Sequence, residues 1–188
     1  MNATETKLKG CFILEPKKFG DSRGYFFESF NEKTFNALTG TQTTFVQDNQ
    51  SYSSRGVLRG LHAQAGEHAQ AKLVRVIEGK VLDVAVDVRP DSPTYGQHVA
   101  VELSAENNLQ LFVPRGFLHG FVVLSETATF FYKCDNFYNK ESECGVHPLD
   151  ADLAVDWQIP LEQLQLSDKD KEAPSFSDVF GGKVKNSL

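Results

Sequence analysis

The chain of 188 residues is long enough for one domain with a buried core and too short for two domains of ordinary size. Apolar residues make up 40% of it and aromatic residues 11%, which excludes an intrinsically disordered chain. The formal charge of −6, from 19 Lys and Arg against 25 Asp and Glu, argues against a nucleic-acid duplex or an anionic membrane as partner.

The sequence shows the features of a cytoplasmic protein. No apolar run approaches the roughly 20 residues that cross a bilayer, and residues 1–10 lack the apolar core of a signal peptide. The three cysteines are odd in number and contain no Cys-x-x-Cys pair, which favours reduced thiols. We expect one domain over residues 1–188, with a loosely ordered segment at about 175–188.

Short strand-like runs recur between turns that are rich in Gly, Asn and Asp. Helical signal is sparse: a short helix is predicted at 31–38, capped by Asn31, and a further turn at 161–166. So little helix excludes a β-α-β architecture, and eight or more strands predict a sandwich or barrel. In chain order, the predicted strands are 11–15, 25–30, 43–47, 72–78, 80–88, 97–103, 109–113 and 127–133.

A glycine turn separates two of these runs. Glu78-Gly79 predicts a hairpin between the strands 72–78 and 80–88. In the second strand, valines and a leucine alternate with Asp83 and Asp87 at period two. Two carboxylates on one strand face are usually solvated, but the polar interior of a barrel would produce the same pattern.

Two segments that contain glycine and histidine are separated by a strand-rich stretch: residues 56–64, GVLRGLHAQ, and residues 114–119, PRGFLH. They resemble the two half-motifs of the cupin superfamily, whose metal-binding members supply three histidines and one carboxylate to one ion. Gln64 stands where the second histidine ligand belongs, so only His62 and His119 remain. Two imidazoles are too few for zinc or non-haem iron, and we expect a protein without metal.

Further segments extend this resemblance in the same chain order: residues 20–28 (GDSRGYFFE), 45–51 (FVQDNQS), 70–76 (QAKLVRV), 83–89 (DVAVDVR), 92–96 (SPTYG) and 167–170 (SDKD). Together they resemble the dTDP-4-dehydrorhamnose 3,5-epimerase family from about residue 10 to residue 174. The resemblance implies an all-β fold, a cupin-type antiparallel jelly roll with a few short helices, which forms a homodimer. It also implies epimerisation, without a cofactor, at C3 and C5 of dTDP-4-dehydro-6-deoxy-D-glucose to dTDP-4-dehydro-L-rhamnose. Ala63 departs from the family pattern, which commonly has an aromatic residue there.

The resemblance also implies four catalytic residues. Epimerisation beside a ketone removes a carbon-bound proton from one face and returns one to the other, through an enolate. His62 is the implied base, because imidazole is neutral near pH 7, and Asp170 is the carboxylate that fixes its tautomer. Lys72 would stabilise the enolate oxygen, and Tyr132 would be the acid on the opposite face.

Strand alternation bears on two of these roles. Lys72 shares a face with Val74 and Val76, so it enters the interior if that face lines the barrel and is otherwise an exposed edge lysine. Tyr132 shares a face with Phe130 and, read alone, is an aromatic residue that lines the barrel.

Substrate binding requires groups that grip a nucleoside diphosphate, for which guanidinium is well suited. Strand alternation cannot place Arg59 and His62 on one face unless the chain bulges near Gly60, which glycine permits. Tyr138 would stack on the thymine. The substrate-binding residues implied by the resemblance are Arg23, Glu28, Gln47, Asn49, Arg59, His119, Tyr138, Glu143 and Lys169.

Two other functions stay open. A sister enzyme that inverts only C3 or only C5 of a related dTDP-4-keto-6-deoxysugar would need the same base, acid and lysine. A non-catalytic cupin that binds sugar nucleotides would keep the arginines but would not need His62, Tyr132 and Lys72 together. A metal-dependent oxygenase is disfavoured by Gln64.

Overall fold

Two facing antiparallel sheets form the body of the computed structural model, which describes residues 1–181. The six-stranded sheet has the spatial order β1 (Asn2–Glu5), β2 (Phe12–Glu15), β10 (Gln110–Val113), β7 (Lys72–Glu78), β12 (Thr127–Cys134), β5 (Gln47–Ser54). The five-stranded sheet has the order β13 (Glu143–Gly145), β6 (Leu58–Gln64), β11 (Phe117–Val123), β8 (Lys80–Asp87), β9 (His98–Ser104). A separate hairpin pairs β3 (Phe19–Asp21) with β4 (Gly24–Phe26).

The main apolar core lies between the two sheets, because alternate residues of the facing strands point inward. Phe121 of β11 stacks on Phe130 of β12 with ring centroids 4.0 Å apart, which ties one sheet to the other. The outer face of the five-stranded sheet is also covered, by a cluster that includes Trp157 and Phe176. The predicted all-β antiparallel jelly roll with a few short helices is confirmed.

The two aspartates of β8 are buried, so the interpretation of them as solvated side chains is wrong. Asp83 points into the space between the sheets, with apolar neighbours on the same strand face. Asp87 lies at the end of the strand, where it accepts hydrogen bonds from Arg89, Ser92 and Thr94. Of the two interpretations, the one that places Asp83 in the barrel interior agrees with the structure, although its neighbours on that strand face are apolar.

The turn at Glu78 and Gly79 does not form the predicted hairpin. Strands β7 and β8 lie in different sheets, so the turn carries the chain from one sheet to the other. Gly79 has a φ of +79°, and a Cβ at this position would lie 2.0 Å from the carbonyl oxygen of Thr127. A local pattern reveals that a turn occurs, whereas tertiary packing decides with which strand each neighbour pairs.

Several predicted strands are confirmed within one residue of each end: 72–78, 80–88, 97–103, 109–113 and 127–133. The prediction of a strand at 43–47 is wrong, because β5 begins at Gln47 and continues through a largely polar segment. Strands β6 and β11 escaped prediction because neither shows a clean alternation: every residue of β11 is buried, and in β6 the buried residues Gly60 and Leu61 are adjacent.

The predicted helix is present as α1 (Glu32–Thr39). Its N-cap is Asn31, whose side chain accepts a hydrogen bond from the backbone N–H of Thr34, and its C-cap is Gly40 in the left-handed conformation. Phe35 is the apolar anchor of this helix and packs edge-on against Phe112 with ring centroids 5.0 Å apart.

The C-terminal part packs against the five-stranded sheet. The turn predicted at 161–166 contains a short 3-10 helix at Leu161–Gln163, and α2 (Asp168–Lys171) and α3 (Phe176–Phe180) follow it. Of the segment expected to be loose, residues 175–181 comprise α3 with its caps, and residues 182–188 lie outside the described part. No helix within residues 1–181 is long and apolar enough to cross a membrane.

Replacing the anchor of α1 tests how the helix is held to the sheet. Phe35→Ala removes a fully buried ring and should lower the free energy of unfolding by about 3–5 kcal/mol. Leu38→Ala, on the half-exposed side of the same helix, should cost less than about 1 kcal/mol. Urea unfolding at one fixed protein concentration measures both values, and equal losses would contradict this account of the packing.

Candidate active site

A cavity of about 520 Å³ lies between the two sheets. Its walls come from β5, β7 and β12 on one side, from β6 and β11 on the other, and from the chain around α2. The structure thereby brings together residues that are far apart in sequence. Six of the predicted site residues line the cavity: Arg59, His62, Lys72, His119, Tyr132 and Asp170.

A bulge in β6 places Arg59 and His62 in the same cavity. The strand takes three steps from Arg59 to His62, whereas its partner β11 takes only two, so one residue of β6 is left over. Gly60 has a φ of +135°, and a Cβ there would lie 2.5 Å from the Cα of Gly120. The bulge predicted near Gly60 is therefore present, and it depends on two glycines that approach each other across the strand pair.

His62 and Asp170 form a hydrogen-bonded pair although 108 residues separate them. The Nε2 atom of His62 lies 2.6 Å from Oδ1 of the buried Asp170, whose other oxygen accepts a hydrogen bond from the Ser167 hydroxyl. Within residues 1–181, Nδ1 of His62 has no hydrogen-bond partner. Burial lowers the pKa of His62, and the Asp170 carboxylate opposes that shift. The imidazole is thus held with Nδ1 free and in its neutral form at pH 7.

Lys72 and Tyr132 lie on the opposite sheet, on the neighbouring strands β7 and β12. The Nζ atom of Lys72 is 5.8 Å from the centroid of the Tyr132 ring. Burial lowers the pKa of Lys72, while nearby negative charge, including that of Asp83, opposes the shift. Burial raises the pKa of Tyr132, which keeps the phenol protonated at neutral pH. The interior position that strand alternation allowed for both side chains is the one observed.

A second group of predicted residues is linked by hydrogen bonds beside this cavity. Gln47 donates to Asn49 over 3.1 Å and accepts from the backbone N–H of Tyr138 over 3.1 Å. Lys169 forms an ion pair of 2.6 Å with Glu143, towards which the Tyr138 hydroxyl also points. A further cavity, lined by Lys169, adjoins the first because both share His62 and Asp170.

Arg23 and Glu28 are not brought to the cavity. Arg23 lies on the β3–β4 hairpin, where 87% of its side chain is exposed and its guanidinium pairs with Asp21. Glu28 follows the hairpin and accepts a hydrogen bond from Asn31. Neither residue lines the cavity of its own chain.

Gln64 has a structural task at the position where a metal-binding cupin would place a histidine. Its buried amide donates to the carbonyl oxygens of His68 and Phe137 and accepts from the backbone N–H of Asn139. These partners lie in the segments that follow β6 and β12 in the chain. Among residues 1–181, no group of three or more His, Cys, Asp and Glu side chains is arranged to hold a metal ion.

Two residues that contact cavity-lining side chains from behind lie outside the set predicted from sequence. Ser53 accepts a hydrogen bond from Nε of Arg59 over 3.1 Å, and Asp83 contacts His119 at 2.9 Å. The alternating pattern of β8 drew attention to Asp83 but carries no information about its partner. Ser53 was not predicted as a site residue because the largely polar sequence of β5 is typical of a loop. Ala63 points away from the cavity, into the apolar cluster on the outer face of the sheet.

Comparisons with known proteins identify one family over almost the entire chain. A family model described as dTDP-4-dehydrorhamnose 3,5-epimerase matches residues 5–178. The protein of that name from Salmonella typhimurium is 54% identical over 181 residues, which cover 96% of this chain and 98% of the relative.

Solved structures of epimerases of the same kind also match this chain. The crystal structure of the dTDP-4-dehydrorhamnose 3,5-epimerase from Elizabethkingia anophelis is 61% identical with a TM-score of 0.93, and the match covers 96% of this chain and 98% of that one. A dTDP-6-deoxy-D-glucose-3,5-epimerase from Legionella pneumophila, solved in complex with dTDP-4-keto-L-rhamnose, is 48% identical with a TM-score of 0.91, covering 100% and 98%. Because the match spans nearly the full length of these relatives and not only the two cupin motifs, the chain belongs to the dTDP-4-dehydrorhamnose 3,5-epimerase family.

Proposed function

We propose that this chain epimerises dTDP-4-dehydro-6-deoxy-D-glucose at C3 and C5, giving dTDP-4-dehydro-L-rhamnose without a cofactor. One observation carries the proposal: His62 and Tyr132 enter the same cavity from opposite sheets. An inversion needs a base on one face of the carbon and an acid on the other. A protein that only binds sugar nucleotides has no need for this arrangement.

The proposed chemistry uses the same groups at both centres, since C3 and C5 each adjoin the C4 carbonyl. Nδ1 of His62 removes the carbon-bound proton, and Asp170 stabilises the imidazolium through Nε2. The negative charge that develops on the C4 oxygen is stabilised by the Lys72 ammonium, which is half-buried in the cavity and therefore less screened than a surface lysine. The Tyr132 hydroxyl then donates a proton to the opposite face of the carbon.

Binding is assigned to the groups around this centre. Arg59 lines the cavity and is oriented by Ser53, so its guanidinium is placed to bind phosphate oxygens. Tyr138 is exposed and offers a ring on which the thymine can stack. Gln47, Asn49, Glu143 and Lys169 form the polar group beside this ring.

We further propose a homodimer in which the β3–β4 hairpin packs against the second copy. Phe19, Tyr25 and Phe26 expose large apolar surfaces on this hairpin, and Phe26 is 71% exposed. Nε of Arg75, on the neighbouring sheet, is buried without a hydrogen-bond partner among the described residues. Such a dimer would bring Arg23 of one copy towards the cavity of the other, which accounts for its position outside its own cavity.

Two broader expectations belong to the same proposal. A single domain is supported by the two sheets that share one core, and a cytoplasmic location by the three free thiols, which suit a reducing compartment.

Solvent-exchange labelling tests the proposed reaction. In deuterated water, the wild-type enzyme should place deuterium at both C3 and C5, as measured by proton NMR with coupled reduction of the product. Tyr132→Phe should still permit some exchange by the base without inversion, while His62→Asn should abolish both. Arg59→Ala serves as the control, because it should weaken substrate binding without changing which positions are labelled.

The labelling outcomes separate the competing functions. Label at one position only would identify the single-centre sister enzyme, and binding of dTDP without any exchange would identify a non-catalytic protein. If Tyr132→Phe neither exchanges nor inverts while it still binds dTDP, the assignment of base and acid to opposite faces is wrong.

The pH profile tests the state of the base. Because burial lowers the pKa of His62, the acid limb of kcat/KM should lie below the ordinary imidazole value of about 6.5. Asp170→Asn removes a charge that raises this pKa, so the limb should move to lower pH while kcat falls at least about 100-fold. Lys169→Gln removes a charge that lowers the pKa of His62, so the acid limb should move to higher pH. Shifts of the same sign in both variants would exclude His62 as the titrating group.

Light scattering at micromolar concentration tests the dimer. The wild type should be a dimer, and Phe26→Glu should be a monomer with reduced activity, because a charge in an apolar interface is left unpaired. Leu149→Glu changes a similar residue outside the hairpin and should leave the dimer intact. A wild-type monomer, or a dimeric and fully active Phe26→Glu variant, would refute this part of the proposal.

A further inference from the structure

Behind the cavity wall lies a buried carboxylate that the proposed mechanism does not use, in contact with the cavity-lining His119. Asp83 is fully shielded from solvent on β8, between the inward-facing side chains of Val81 and Ala85. Among residues 1–181, its only hydrogen-bonding partner is the His119 imidazole. Burying a carboxylate away from water costs free energy. Apolar side chains fill the neighbouring positions of the same strand face, so an apolar residue would also fit at this position. A role in packing alone therefore does not account for Asp83.

The contact fixes the orientation of the His119 ring. Nε2 of His119 lies 2.9 and 3.1 Å from the two oxygens of Asp83, and the ring stacks on Phe130 with an interplanar angle of 26°. Strands β8 and β11 are paired, with His119 opposite Ala85, so Asp83 is a diagonal neighbour of the imidazole. Both the position and the tilt of the ring are thus determined by groups outside the substrate.

The contact also determines which ring nitrogen faces the cavity. A carboxylate accepts hydrogen bonds, so the neutral imidazole carries its proton on Nε2 and leaves the lone pair on Nδ1. His119 lines the cavity, and its Nδ1 has no hydrogen-bond partner within the described residues. A lone pair at this position suits a hydroxyl donor and disfavours a phosphate oxygen.

His62 shows the same arrangement directly opposite on the neighbouring strand, where His62 and His119 are register partners. Each ring uses Nε2 to bind a buried aspartate from another element, Asp170 of α2 or Asp83 of β8. The cavity therefore contains two imidazoles that each contact an aspartate through Nε2, of which the proposed mechanism uses one as the base.

We propose that Asp83 is a positioning residue: it holds His119 with its proton on Nε2, so that Nδ1 accepts a hydrogen bond from a hydroxyl group of the hexose ring. This inference rests on the proposed function, because that function supplies the sugar. The negative charge of Asp83 also acts on Lys72 and favours its ammonium form. Loss of Asp83 should consequently impair turnover more than nucleotide binding.

Asp83→Asn tests this inference, because an amide keeps the shape but can also donate to Nε2 and so permits the wrong tautomer. We expect kcat to fall about 10- to 100-fold while the affinity for dTDP, measured by calorimetry, changes less than about two-fold. Asp87→Asn is the matched control on the same face of β8. It removes hydrogen bonds to Arg89, Ser92 and Thr94, and should lower Tm with kcat within about two-fold of the wild type.

A double-mutant cycle distinguishes action through His119 from a general structural effect. In a His119→Asn background, Asp83→Asn should reduce kcat by less than about two-fold further. The same loss in both backgrounds, or a fully active Asp83→Asn enzyme, would overturn the inference.

Nitrogen NMR of the wild-type protein labelled at histidine determines which ring nitrogen of His119 carries the proton. It therefore tests the inference even if Asp83→Asn does not fold. His119 should show its proton on Nε2, and a proton on Nδ1 alone would overturn the inference. A wild-type enzyme without epimerase activity would instead refute the proposed function, and the NMR result would still report on the contact between Asp83 and His119.

Discussion

The close approach of Gly60 and Gly120 across strands β6 and β11 is the constraint on which the arrangement of the cavity depends. A side chain at either position would collide with the backbone of the other strand, so the two strands come together only as glycines allow. The bulge that results turns Arg59 towards the same side as His62 and leaves His62 directly opposite His119. Without it, strand alternation would direct Arg59 and His62 to opposite faces of the sheet.

Burial then determines the chemistry of the groups that the bulge and the opposite sheet bring together. It lowers the pKa values of His62 and Lys72 and raises that of Tyr132, so at neutral pH the imidazole is unprotonated and the phenol holds its proton. The Asp170 carboxylate opposes the shift of His62, and the Asp83 carboxylate opposes that of Lys72. In the proposed mechanism these protonation states suit His62 to accept a proton and Tyr132 to donate one.

At the periphery of the site, hydrogen bonds to backbone groups and a partly exposed ion pair hold the residues in place. Gln64 joins three backbone groups of the segments that follow β6 and β12, and the pair of Lys169 and Glu143 links α2 to β13. These contacts hold the polar group around Tyr138 in place, whereas the hairpin that carries Arg23 contributes no residue to the cavity of its own chain. A substrate that spans both regions would be held by a rigid centre and by a rim that the second copy completes in the proposed dimer.

The sequence by itself determined the fold class, the helix at α1, most strands with an alternating face, and, through the resemblance of many ordered segments, the family. These features are local, because turn residues, caps and period-two patterns act within a few residues of each other. Only the tertiary structure decided that β7 and β8 belong to different sheets, that Asp83 is buried against His119, and that Asp170 reaches His62. Such contacts join residues far apart in the chain, and they depend on strand order and register, which no local pattern encodes. Strands β6 and β11 illustrate the limit most clearly: the bulge at Gly60 interrupts the alternation of β6, burial on both faces removes that of β11, and these two strands carry both histidines of the cavity.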